Sequence, residues 1–183
     1  IKIIKKNLHG VSNISSERLL DEFKKLLKSK GFLKITKNKD CLEIINLIFP
    51  QLKNISIFNN LNNFSKKLFT EVDFIFLLSL MIIDGNDNVD YFIYKFNLSK
   101  KDQKRLLFLN NFNSQKITNK TFSEKNLNKI FYFNGREALM DVIYFKIFKS
   151  NKVDNKLLKM IENFKGKEIP IMPIKANILM VKY

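Results

Sequence analysis

The feature that most constrains this chain is the spacing of its apolar residues, which recur at i, i+3, i+4 and i+7 through most of its length. Leu19, Leu20, Phe23, Leu26 and Leu27 form one such stripe, and Lys24, Lys25 and Lys28 take the other face. A period near 3.6 residues belongs to helices with one buried side, so the expected fold class is all-α. Cap signals punctuate the stripes. Ser15 or Ser16 opens the first full helix and Gly31 is expected to end it. Asp40 with Glu43, Thr70 with Asp73, Ser99 with Asp102, Thr121 with Glu124 and Asn134 with Glu137 each set a cap residue three positions before an acid. Asp154 precedes a last helix bearing Leu157, Leu158, Ile161 and Phe164, closed by Gly166. Pro50 terminates the helix of Leu42, Ile45 and Phe49, and the stretch from Gln51 to Lys67 is less regular. An acidic loop from Asp84 to Asp90 and an Asn-rich linker from Asn110 to Lys120 separate later helices. Ile1, Ile4 and Leu8 suit the end of a helix stopped by a left-handed Gly10, and Pro170 and Pro173 fix an extended exit.

A chain of 183 residues with 45% hydrophobic content can bury one core or two small ones. The longest apolar stretch, Phe74 to Ile83, is far short of the roughly 20 residues a membrane span needs and is expected to be a buried core helix. The 18 phenylalanines fall mostly on the apolar stripes and are expected to fill the core. No membrane partner and no signal peptide are expected. Ile1 is not a methionine and Ile178 to Val181 are apolar, so both ends are expected to be cuts through continuing structure.

With 33 Lys+Arg against 17 Asp+Glu, the net charge of +16 favours a polyanionic partner, nucleic acid first and anionic membrane second. A compositional drift toward Lys and Asn would leave the same excess, because Arg18, Arg105 and Arg136 are the only arginines. His9 is the only histidine, so no His-based metal cluster and no Ser-His-Asp arrangement can be assembled. No glycine-rich phosphate loop is present. Asp84, Asn86, Asn88 and Asp90 alternate as calcium ligands do, yet Val89 and Lys95 stand where the turn glycine and the bidentate glutamate would be needed. Cys41 is alone, which excludes an internal disulfide and suits a reducing cytoplasm.

The segment Ile14 to Leu27 carries Ser15, Glu17, Arg18 and Glu22 in a Ser-x-ER-x-x-x-E pattern, with Arg18 placed to pair with Glu22 at i+4. As a string it resembles the neck helix of the class II tRNA nucleotidyltransferase (CCA-adding enzyme) and bacterial poly(A) polymerase family. Leu8 to Ile14 resembles the connection before that helix. Phe49-Pro50-Gln51-Leu52 is similar to a turn of the family's body, and Gly135-Arg136-Glu137-Ala138-Leu139 with Asp141 to a later body helix. Pro173-Ile174-Lys175 with Leu179-Met180 resembles the tail motif, although Ala176 and Ile178 replace its glycine and aspartate.

The resemblance implies four parts: residues 1–31 as the end of the neck, 32–109 and 110–169 as two parts of a helical body, and 170–183 as a truncated tail. It implies a tRNA partner, gripped by shape and phosphate contacts. Lys24, Lys25, Lys28, Arg136 and Lys175 are the expected phosphate contacts, while Glu17, Arg18 and Glu22 form a structural neck motif. No catalytic residue and no metal ligand is expected in the segment. In such a family Mg2+ and CTP or ATP bind a catalytic head, which would lie upstream of Ile1. The competing expectations are the same region of a poly(A) polymerase and a non-enzymatic basic helical RNA-binding domain.

Overall fold

The computed structural model describes residues 3, 6–115 and 121–168, and every regular element among them is helical. A 3-10 turn over Leu8–Asn13 leads into α1 (Ser16–Lys28), the short α2 (Phe32–Ile35) and α3 (Lys39–Ile48). A second 3-10 turn, Ile55–Asn60, precedes α4 (Asn63–Leu68), α5 (Phe74–Ile82) and α6 (Asn88–Phe96). Three more helices follow: α7 (Lys100–Ser114), α8 (Glu124–Phe148) and α9 (Asn155–Lys165).

Caps explain most of the boundaries. Ser15 Oγ accepts from the Arg18 amide at 3.3 Å, Ser99 Oγ from the Asp102 amide at 3.2 Å, and Asp154 Oδ1 from the Lys156 amide at 2.8 Å. Four expected starts move. The cap of α3 is Asn38, two residues before Asp40, because its amide oxygen accepts from both Asp40 N and Cys41 N. Asp73 rather than Thr70 caps α5, and Ser123 rather than Thr121 precedes α8. The start expected at Asn134 falls one residue later, where Gly135, at φ 83° and ψ 177°, separates two helical halves of α8 in a conformation that only glycine takes easily.

The ends shift too. An extended Ser29 stops α1, so Gly31 precedes α2 instead of closing α1. Gly10 sits inside the first 3-10 turn and is not left-handed, whereas Asn97 after α6 is, at φ 45°. Helix α7 continues through Asn110 to Ser114, into the expected linker, because Leu106 and Leu109 bury one side and carry the helix onward. Pro170, Pro173 and the tail-like segment lie outside the described residues.

The core is built around α5, all nine residues of which are buried. It packs against α1, α6, α7, α8 and the second 3-10 turn, so a helix without a polar face is what its position requires. Phe23, Phe49, Phe92 and Phe96 line one side of this core, with Phe92 and Phe96 ring centroids 4.3 Å apart. A second cluster joins Leu127, Phe131, Leu139, Ile143 and Ile147 of α8 to Leu157, Ile161 and Phe164 of α9. Phe64, Phe122, Ile130 and Tyr144 pack against both clusters.

Three asparagine amides tie distant carbonyls into this arrangement. Asn62 Nδ2 donates to Ile147 O and Ser150 O at 3.0 and 2.9 Å, while its Oδ1 caps α4 through Ser65 N. Asn54 Nδ2 donates to Ile83 O at 2.7 Å. Asn88 Nδ2 donates to Ile82 O and Gln51 O at 2.7 and 2.8 Å. These are carbonyls left without partners at helix ends or in turns, and each bond removes a desolvation cost. The inward turn of Asn88 also gives the acidic loop a structural task, since the amide nitrogen points at carbonyls.

Candidate nucleic-acid interface

Helix α1 buries Leu20, Phe23 and Leu27 and leaves its charges at the surface. The charges there are already partly paired. Lys24 Nζ lies 3.2 Å from Asp21 Oδ1 and 5.5 Å from the Phe74 ring centroid, and Lys25 Nζ lies 2.8 Å from Glu22 Oε1. The hydrogen bond that Lys25 donates to the Glu22 carboxylate raises the Lys25 pKa above its ordinary value. Glu22 is therefore taken by Lys25 at i+3, one turn further along, and not by Arg18 at i−4. Arg18 and Glu17 are exposed in the first turns, where Glu17 faces the positive end of the helix dipole.

Lys28, in the last turn of α1, lines a cleft of about 570 Å³ with Lys30, Lys66, Phe69, Glu71 and Asp73 among others. The cleft brings these three lysines to one opening between α1, α4 and the start of α5. Lys30 and Lys66 are separated by 36 positions, and no local pattern links them. Arg136 is exposed beside the α8 kink, and its Nη2 donates to Lys167 O at 2.6 Å, which tethers the residues after α9 to α8. Lys175 lies outside the described residues.

The most densely bonded charge among the described residues is Arg105 on α7. Its Nε and Nη2 donate to Asp141 Oδ2 and Oδ1 at 2.6 and 2.8 Å, a two-pronged pair with α8. Nη2 also reaches Asp73 Oδ2 at 2.7 Å, and Nη1 lies 3.1 Å from Glu137 Oε1. One guanidinium thus joins α7, the cap of α5 and the C-terminal half of α8. Burial pushes the Asp141 carboxyl up, and Arg105 pulls it back only part of the way. Burial also opposes ionisation of Asp73, but the guanidinium and the amides of Phe76 and Ile75 outweigh it and hold that carboxyl below its usual value. With these carboxylates committed to Arg105, they do not fit a Mg2+ ion. Among the described residues no group of three or more His, Cys, Asp or Glu side chains is placed to hold a metal.

Most phenylalanines are internal as expected, but some aromatic side chains stand at the surface. Phe133 is 76% exposed and Tyr94 85% exposed, whereas Phe131, two positions from Phe133, is 1% exposed. Among the described residues no helix is long and apolar enough to cross a membrane. The arrangement supplies cationic clefts, exposed rings and amide donors, which together can hold a flexible or helical polyanion.

No curated protein and no solved structure matches the chain. Over α1, α2, α3 and the turn after them, one family does: residues 1–56 are similar to the family described as a probable RNA and SrmB-binding site of polymerase A.

Proposed function

We propose that this chain is the RNA-binding part of a tRNA nucleotidyltransferase of the CCA-adding kind, holding the acceptor arm of tRNA for a catalytic head outside residues 1–183. The observation that carries the reading is the coincidence of the family similarity over residues 1–56 with the cleft of Lys28, Lys30 and Lys66, which α1 from that segment helps to form. An enzyme that must accept every tRNA needs contacts to backbone shape and phosphates, and a lysine-rich surface provides them without reading bases. Mg2+ and CTP or ATP would belong to the head, where metal ions assist attack of a terminal hydroxyl on a nucleotide α-phosphate. Lys24, Lys25, Lys28, Arg136 and Lys175 remain the proposed phosphate contacts, and Lys30 and Lys66 join them.

A poly(A) polymerase is the second reading, favoured by the description of the matching family as polymerase A. The product separates the two. The intact enzyme supplied with CTP and ATP is expected to add a defined CCA end to tRNA, and processive addition of A alone would favour the second reading. The 183-residue chain by itself is expected to bind tRNA and incorporate no nucleotide. Incorporation of CMP by the chain alone would contradict the placement of the chemistry elsewhere.

A further inference from the structure

Phe133 stands on α8 two residues before the break at Gly135 and is 76% exposed. The neighbouring Tyr132 ring, 38% exposed, meets it edge-on with centroids 5.0 Å apart. Leaving rings of this size in water forgoes a burial gain that the other phenylalanines on α8 collect. Phe133 also lines a cleft of about 220 Å³ between α7 and α8, shared with Lys101, Lys104, Phe108, Asn134 and Glu137. This is smaller than the roughly 300–1,000 Å³ of a drug-sized pocket and suits a single flat group.

The side chains around it have complementary uses. A phenyl face stacks on any nucleobase without regard to sequence. Lys101 and Lys104, three residues apart, share one face of α7 and are placed for phosphates flanking a stacked base. Asn134 offers an amide donor and acceptor to a base edge. A protein partner would fit this site less well, because lysine is depleted at the centres of protein interfaces. The site lies on α7 and α8, outside the residues similar to the polymerase A family.

We propose that the cleft between α7 and α8 takes one unpaired nucleobase of the bound RNA, stacked on Phe133, with Lys101 and Lys104 on the adjacent phosphates. The inference rests on the RNA-binding reading above and adds a place on the surface that distinguishes unpaired from duplex RNA. The test uses the 183-residue chain with two RNA probes, a blunt duplex and the same duplex with an unpaired 3′ extension carrying 2-aminopurine. Phe133→Ala is expected to weaken binding of the extended probe by about 5- to 150-fold, the span that alanine substitution of a stacking ring produces. It should also abolish the quenching of 2-aminopurine on binding and leave the duplex affinity unchanged. Phe133→Trp should retain both affinity and quenching. Because the ring is exposed, Phe133→Ala should melt with the parent, and a matching melting curve establishes that the comparison is of folded proteins. The proposal is overturned if Phe133→Ala binds the extended probe as the parent does, or loses duplex affinity to the same extent. If the parent binds neither probe, the RNA-binding reading itself fails, which is a different result from an insensitive Phe133→Ala.

Discussion

At the scale of single residues, Arg105 and Asp141 organise the contact between α5, α7 and α8. The Asp141 side chain is 4% exposed and that of Arg105 13% exposed, so the Asp141 carboxylate is almost wholly withheld from water and the guanidinium largely so. Removing one partner leaves the other buried and uncompensated, at a cost of about 3–5 kcal/mol. Arg105→Met is therefore expected to lower the unfolding free energy by about that amount in a denaturant titration, and adding Asp141→Leu should recover most of it. If the double variant is as unstable as the single one, the loss comes from packing around the arginine stem instead. Asp73 and Glu137 are half exposed, and their pairs contribute far less. Asp73 still has a pH signature. Its folded pKa lies below its unfolded value of about 3.9, so its contribution is complete above that value and disappears as pH falls through the folded pKa. The stability gap between the parent and Asp73→Asn is expected to close as pH drops below about 4; a gap that widens there would contradict the assignment. Asp141, pushed up by burial, acts with the opposite sign. A signal for this hub was present in the sequence, since Asp141 interrupts the apolar run Leu139-Met140-Val142-Ile143 and a buried carboxylate needs a cation. The partner 36 positions away was not legible, because nothing local singles out Arg105 over the lysines around it.

At the scale of elements, apolar period and caps set most of the helix positions. Helix α5 lies where the Phe74–Ile83 run placed it, and Ser99 and Asp154 cap as their spacing suggests. Boundaries slipped where several capping residues compete within a few positions, as in Asn38-Lys39-Asp40 and Thr121-Phe122-Ser123. The α8 kink was legible only as a break near Asn134, because a glycine in a helical pattern does not announce its dihedral angles. Gly135→Ala would find open space for its methyl group but a backbone at φ 83° that an L side chain resists. The expected loss is about 1–3 kcal/mol, read as a lower melting temperature. An unchanged melting temperature would mean that α8 straightens at no cost. The asparagine tethers were hidden for a different reason: in a chain rich in Asn and Lys, Asn54, Asn62 and Asn88 look like solvent-facing residues. Asn62→Ala leaves Ile147 O and Ser150 O without their side-chain donor and is expected to destabilise by about 1–3 kcal/mol in the same assay.

At the scale of the whole molecule, the all-α class and the internal place of most phenylalanines followed from pattern alone, while the surface did not. Phe133 belongs to the same composition as Phe131, and only the three-dimensional arrangement separates an exposed ring from core filler. Likewise the lysine cleft joins Lys28 to Lys66 across folded elements, so charge counting gave a class of partner without a place for it. The replacements Lys28→Glu and Lys66→Glu are expected to weaken RNA binding across sequences and to reduce the salt slope by about one for each phosphate that is no longer neutralised. The proposed grip on RNA works chiefly by neutralising phosphates. It is tested most directly by measuring the tRNA affinity of the 183-residue chain across a salt series. Saturable binding is expected, with an affinity whose logarithm falls linearly with the logarithm of salt, by roughly a thousandfold or more between about 50 and about 200 mM if six or more phosphates are engaged. No tRNA retention at the lowest salt, or an affinity indifferent to salt, would contradict it.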